Sequence, residues 1–254
     1  MTRLSPRRRR LLAPVLLGLI LLGLWAAAAS VVSPLLLPRP WGVLVRIWQD
    51  AVDGMLWPYL WVTFIEASGG CLLGAAVALP LAMAIHRLAW FADAVQPFLG
   101  ATQAIPAIAL APLLVLWIGY GLLPVVLLCA LIVFFPILVS AVVGLRMVDR
   151  EVVDAARLDG AGSLALLRHV ELPLALPSLL GGFKNGFALS VTGAVVGEMV
   201  MGGNGLGTVL TVQRDAVDTT GMFASIAWLC LLAAGAYVLI SWWERRSAIV
   251  ESLR

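Results

Sequence analysis

The segment Leu122–Arg146, LLPVVLLCALIVFFPILVSAVVGLR, carries no charge before its final arginine. A helix needs about 20 apolar residues to cross the hydrocarbon of a bilayer, and this run is long enough. It lacks the apolar–polar alternation of a barrel strand, and in lipid only helices or closed barrels satisfy every backbone amide and carbonyl. The same reading extends to the chain as a whole. Its 254 residues are 62% hydrophobic and 12% charged, with a mean hydropathy of +1.01. Soluble domains carry about a quarter charged residues. The predicted fold class is therefore all-α and polytopic, with about six transmembrane helices.

Working outward, residues 11–32 form a first span behind Arg7, Arg8, Arg9 and Arg10. Its apolar part is longer than the core of an ordinary signal peptide, although the alanine-rich patch 26–30 is compatible with cleavage. An uncleaved span with a cytoplasmic N-terminus is expected. Residues 33–58 follow, with a short amphipathic helix over 43–52 lying on the outer surface. The second span covers about 59–85 and carries Glu66, then Gly69, Gly70 and Gly74, small residues that let helices approach closely. The third covers about 94–117 and is interrupted by Pro97, Pro106 and Pro112, so a kinked or broken helix is expected. The fifth begins near Pro177 or Ser178 and ends near Val200. The sixth covers 222–243. Between them, GGNGLG at 202–207 follows a membrane helix rather than a strand, so it reads as a tight outer turn and not as a nucleotide fingerprint.

Arginine placement orients this layout. Arg3, Arg7 to Arg10, Arg87, Arg146, Arg150, Arg157, Arg168, Arg245, Arg246 and Arg254 fall on one side, and only Arg39, Arg46 and Arg214 on the other. The positive-inside rule puts the first group in the cytoplasm, with both termini. The net charge of +3 is thus a product of membrane orientation and gives no reason to expect nucleic acid as a partner. Seven tryptophans near predicted interfaces, among them Trp41, Trp117 and Trp243, fit an aromatic belt. Cys71, Cys129 and Cys230 are isolated within apolar runs and read as small buried residues.

The longest polar interval runs from Asp149 to Pro177, DREVVDAARLDGAGSLALLRHVELPLALP. Asp149 suits a helix N-cap, with Glu151 in the first turn. Gly160-Ala161-Gly162 breaks that helix, and Ser163 can cap a second one that Pro173 and Pro177 end. The outcome is a helix-turn-helix knuckle with apolar residues on a solvated loop. Those residues need a cover, either the underside of the membrane domain or a groove on a partner.

Within the knuckle, Asp154, Ala155, Ala156, Gly160, Val170, Leu172 and Pro173 stand at fixed spacing. This spacing resembles the conserved cytoplasmic loop of bacterial ABC importer permeases of the binding-protein-dependent type, with its Glu-Ala-Ala…Gly…Ile-x-Leu-Pro signature (the EAA motif). Asp154 stands for the usual Glu and Val170 for the usual Ile. Residues 37–48, 103–106, 111–113 and 117–121, with Gly197-Glu198 and Gly205-Leu206-Gly207, are similar to the nitrate, sulfonate and taurine subgroup. That subgroup also takes in importers of riboflavin and thiamine-pyrimidine precursors.

The resemblance implies a type I ABC importer permease architecture. It implies one transmembrane domain over 1–254, with a cytoplasmic N-terminus at 1–10, a core at about 58–244 and a coupling loop at 146–177. It implies a permease homodimer in the bacterial inner membrane, two copies of an ATP-binding subunit docked on the knuckles, and an extracytoplasmic solute-binding protein. The substrate would be a small anion of the sulfonate, taurine or nitrate kind, or a vitamin precursor. The competing reading is a membrane scaffold or receptor that grips a partner through the same loop.

The residues themselves carry no catalysis. The chain has no GxxxxGK[ST] phosphate loop, no HExxH and no GxSxG, and His86 and His169 lie in different loops. No catalytic residue, cofactor or metal is expected, and ATP hydrolysis is assigned to a separate chain. Three ionisable residues fall within spans. Lys184, the chain's single lysine, reads either as a snorkelling residue or as a pathway residue facing an anionic substrate. Glu66 and Glu198 sit toward the outer ends, where interfacial solvation is expected.

Overall fold

The computed structural model describes residues 6–103 and 106–246, and every regular element among them is helical. In chain order these are α1 (Pro6–Val31), α2 (Pro40–Asp53), α3 (Trp57–Arg87) and α4 (Ala89–Gln103). A 3₁₀ turn at Ala107–Leu110 precedes α5 (Ala111–Ile118) and α6 (Leu122–Arg146). Then come α7 (Arg150–Leu158), α8 (Ser163–Leu166), a π turn at Leu167–Glu171, α9 (Leu172–Met201), α10 (Leu206–Asp215) and α11 (Thr219–Arg246).

Among the described residues five helical runs are long and apolar enough to cross a membrane, in place of the six expected. They are Leu12–Val31, Trp57–Arg87, Leu122–Arg146, Ser163–Met201 and Thr219–Glu244. The expected third span is the missing one. Pro97 lies inside α4, Pro106 precedes the 3₁₀ turn and Pro112 opens α5, so this region is divided into short pieces. Part of it, residues 104 and 105, lies outside the described residues.

A second correction concerns the fifth span. Pro173 and Pro177 do not stop the knuckle's second helix, which runs through the π turn into α9. In that turn the Leu172 amide reaches back to the Leu167 carbonyl, five residues earlier. The wider turn gives room where Pro173 has no amide to offer and its ring would press on the preceding turn.

Contacts divide the chain into two units. The first takes the residues up to Trp57 together with Val209–Trp228. In it the Trp25 indole donates to the Pro38 carbonyl (3.1 Å) and its ring stacks on Phe223. Helix α2 is amphipathic, as its sequence implies. Val43 is buried, Trp41 and Trp48 are exposed, and Arg46 pairs with Asp50 (3.0 Å) and Asp218 (3.4 Å).

The second unit, Pro58–Thr208 with the residues from Leu229 onward, contains α6 at its centre, packed most extensively on α9. Glycines make that approach possible. A Cβ at Gly182 would run into the Ser140 side chain, and one at Gly186 would press on Ile137. A Cβ at Gly70 of α3 would likewise collide with Cys129 of α6. Helices without apolar contrast to lipid associate through such close packing of small residues. Cys71 and Cys129 are buried in this core, whereas Cys230 is exposed on α11, contrary to expectation; an exposed helix face places it outside the packed interior.

Candidate functional site

The knuckle is built from short-range rules. Asp149 has extended backbone angles and its carboxylate accepts the Glu151 amide (2.9 Å), capping α7. At the other end, Gly160 donates to the Arg157 carbonyl and Ala161 to the Ala156 carbonyl, both at 3.0 Å. Gly160 has φ +87°. This pair of bonds around a left-handed glycine closes a helix and reverses the chain. Ser163 is not the cap of the next helix. Gly162 takes that position, and the Ser163 hydroxyl is engaged elsewhere.

The motif residues divide by exposure. Asp154 and Ala155 are exposed, and the Asp154 carboxylate is 3.2 Å from Arg157. Ala156, Val170, Leu172 and Pro173 are half-buried. The apolar residues flanking the glycine break stand out. Leu158 is 89% exposed and Leu164 78%, while Leu166, two residues further, is 1% exposed. Within the described chain Leu166 is covered and the two tip leucines are not.

Beneath the knuckle lies a clasp that sequence reading did not identify. Arg87, at the end of α3, donates to the Ser163 hydroxyl (3.3 Å), the Ser163 carbonyl (3.1 Å) and the Glu171 carboxylate (2.6 Å). His86 Nε2 lies 3.5 Å from the other Glu171 oxygen. Glu171, the variable residue of the Val-x-Leu-Pro signature, is 3% exposed, and a buried carboxylate requires such partners. The signal available in the sequence was a lone acid between Val170 and Leu172. A polar crevice of about 800 Å³ adjoins the clasp, with Arg146, Arg150, Asp154 and Arg157 in its walls.

Lys184, the residue read as snorkelling or facing the pathway, is buried on α9. Its ammonium pairs with the Glu244 carboxylate of α11 and sits 5.5 Å above the Tyr237 ring. Glu66 and Glu198 are each 1% exposed, so the expected interfacial solvation is corrected. The Thr63 hydroxyl donates to Glu198 Oε1 (2.7 Å) and accepts from the Leu206 amide (2.9 Å), while the Gly207 amide donates to Glu198 Oε2. These bonds fasten the GGNGLG turn onto α3 and α9. Gly202, at φ +72°, makes the reversal, and a Cβ at Gly205 would run into the Glu198 carboxylate and the Thr63 hydroxyl.

A cavity of about 770 Å³ lies among the 3₁₀ turn, α6 and α9. Its walls are mainly Ile108, Leu131, Phe135, Pro136 and Leu189, with Ser140, Asn185 and Thr192 as polar side chains. No ionisable residue lines it among those described. No group of three or more metal-ligating side chains gathers anywhere among the described residues.

Residues 72–248 match the family model for the inner membrane component of binding-protein-dependent transport systems. The chain is 42% identical to the riboflavin transport system permease protein RibX of Chloroflexus aurantiacus, over 96% of this chain and 94% of that protein. It is 33% identical to the formylaminopyrimidine transport permease protein ThiX of Halalkalibacterium halodurans, over 92% of this chain and 94% of that one. It is 30% identical to the putative aliphatic sulfonates transport permease protein SsuC of Escherichia coli, over 92% and 89%. Among solved structures, an inward-facing form of the MetNI methionine ABC transporter has the same fold, with a TM-score of 0.66 at 20% identity. That similarity covers 81% of this chain and 99% of the other.

Proposed function

The chain belongs to the family of inner membrane components of binding-protein-dependent transport systems, and on that premise we propose that it forms the solute pathway of an ATP-driven importer, moved by a separate ATPase that grips the 149–177 knuckle. One observation carries the second half of this reading. Leu158 and Leu164 project from the tip of a charged loop, 89% and 78% exposed, on either side of a fixed glycine reversal. Apolar side chains presented on rigid, short elements make a docking surface for a groove on a partner protein.

The lack of a phosphate loop in the sequence supports this division of labour. In the proposed cycle two ATP-binding subunits close on each other when they bind ATP. Each holds one knuckle, so closure carries two copies of this chain from an inward-open to an outward-open state as rigid bodies. Asp154, Ala155, Ala156 and Gly160 form the contact surface, and Val170, Leu172 and Pro173 join it to α9. The arginine distribution supports an orientation with the knuckle and both termini in the cytoplasm of a bacterial cell. A solute-binding protein then delivers substrate to the face bearing the GGNGLG turn. The named relatives carry two kinds of solute, uncharged heteroaromatic compounds and sulfonate anions, and the substrate here belongs to one of them.

Gly160→Glu tests this reading. The substitution puts a charged side chain at a left-handed position of the docking face. Membrane insertion should be normal, while solute-stimulated ATP hydrolysis and uptake disappear. Normal stimulated hydrolysis in this variant would exclude the knuckle as the coupling site.

A further inference from the structure

The cavity among the 3₁₀ turn, α6 and α9 has room for a small organic solute. We infer that it receives an uncharged, flat heteroaromatic compound, and not an anion; this rests on the importer reading given above. Three observations support it, each independent of what the relatives transport.

The first is the lining. Phe135, Leu131, Ile108 and Leu189 offer apolar walls, and the polar groups are two hydroxyls and one carboxamide. Among the described residues a solute with a full negative charge would meet no counter-charge there, and an uncompensated charge at membrane depth is strongly disfavoured. The second is the fate of the lysine. Lys184 adjoins Asn185 in sequence, yet its ammonium is turned away and neutralised by Glu244. Lys184, the cation next to the cavity stripe in sequence, does not line the cavity.

The third is Asn185 itself. It is exposed on a membrane-spanning helix and has no hydrogen-bond partner among the described residues. An unpaired carboxamide is unfavourable against lipid, so this face looks onto a cavity. Asn185, Leu189 and Thr192 lie at helical spacings of four and three and share one stripe of α9. The stripe presents a donor-and-acceptor amide, an apolar step and a hydroxyl, opposite the Phe135 ring and the Ser140 hydroxyl of α6. A ring system with apolar faces and alternating donors and acceptors at its edge satisfies both sets of groups. The volume, about 770 Å³, falls in the range of small-molecule sites.

The experiment measures uptake by native host cells with and without this chain. The probes are labelled riboflavin, riboflavin 5′-phosphate, taurine and butanesulfonate. The first and second share one ring system and differ in charge. Loss of riboflavin uptake alone on deletion is the expected result, restored by the wild-type chain. Asn185→Leu should restore it at least tenfold less well, and Asn185→Gln nearly in full, with all variants at equal membrane abundance. Chain-dependent uptake of the phosphate or of a sulfonate would overturn the inference, as would uptake indifferent to Asn185→Leu. Copurification of the chain with an ATP-binding subunit is measured in parallel. If it persists while no probe depends on the chain, the heteroaromatic inference falls and the importer reading stands. If it is absent, the importer reading falls first.

Discussion

The two ends of the second unit are built on opposite principles. At the knuckle, α7 and α8 leave Leu158 and Leu164 bare and hold a surface of charged side chains around them. At the GGNGLG end, Thr63, Glu198 and the amides of Leu206 and Gly207 satisfy one another out of contact with solvent. Thr63, Glu198 and two backbone amides are buried and paired where the chain closes on itself, and apolar groups are exposed where another molecule must complete the surface. The first arrangement tolerates little internal change. The second tolerates substitution in the isolated chain and should fail only in the assembly.

The largest expected effect separates these two. Leu158→Asp combined with Leu164→Asp should abolish copurification with the ATP-binding subunit and with it uptake. Yield in the membrane and detergent melting temperature should match the wild type. A large drop in melting temperature would mean that the tip leucines are internal packing residues after all.

Next in size is a pair of glycine substitutions. Gly205→Ala drives a Cβ into Glu198 and Thr63, and should cost about 3 kcal/mol as an overpacked buried site. Gly162→Ala, where an added Cβ has nothing within 4 Å, should change stability by less than about 1 kcal/mol. Equal melting temperatures for the two would erase the proposed contrast.

The clasp between the knuckle and α3 is intermediate. Arg87→Ala leaves the buried Glu171 carboxylate without its guanidinium, an effect of about 3 kcal/mol for one partner of a buried pair. Glu171→Gln combined with Arg87→Ala should recover part of that loss in a double-mutant cycle. If Arg87 positions the knuckle for work, the single variant also hydrolyses more ATP per solute taken up.

The smallest effect on stability falls at Asp154. Its pair with Arg157 is exposed on both sides, so Asp154→Asn should shift stability by no more than about 0.5 kcal/mol. Uptake is the informative readout. A marked fall reports contact with the ATPase, and unchanged uptake returns the side chain to solvent.

What could be read from the sequence follows the range of the forces. Helix α6 was legible because 24 uncharged residues need no partner to announce a span. The knuckle was legible because Asp149 and Gly160 act within a few residues of themselves. The path of the chain through Pro173 was not, since a π turn has no local signature and the prolines signalled a stop. The clasp joins Arg87 to a residue 84 positions away, and the Glu198 cradle joins residues 135 apart, so neither pairing can be seen in local pattern. Lys184 shows the same limit. Its place in a span marked it as unusual, but its partner is Glu244 of α11, 60 positions away.

The run from Ser163 to Met201 is 39 residues without a break in the helix. At about 1.5 Å per residue it measures roughly 58 Å from end to end. It begins three residues after Gly160 and ends three residues past Glu198, whose carboxylate fastens the far turn. A rod of that length pivoting by about 10° near its middle would carry each tip about 5 Å, in opposite directions. The geometry is that of a seesaw: pressure on one surface of the protein arrives at the other as a displacement of reversed sign, with no intermediate part to relay it.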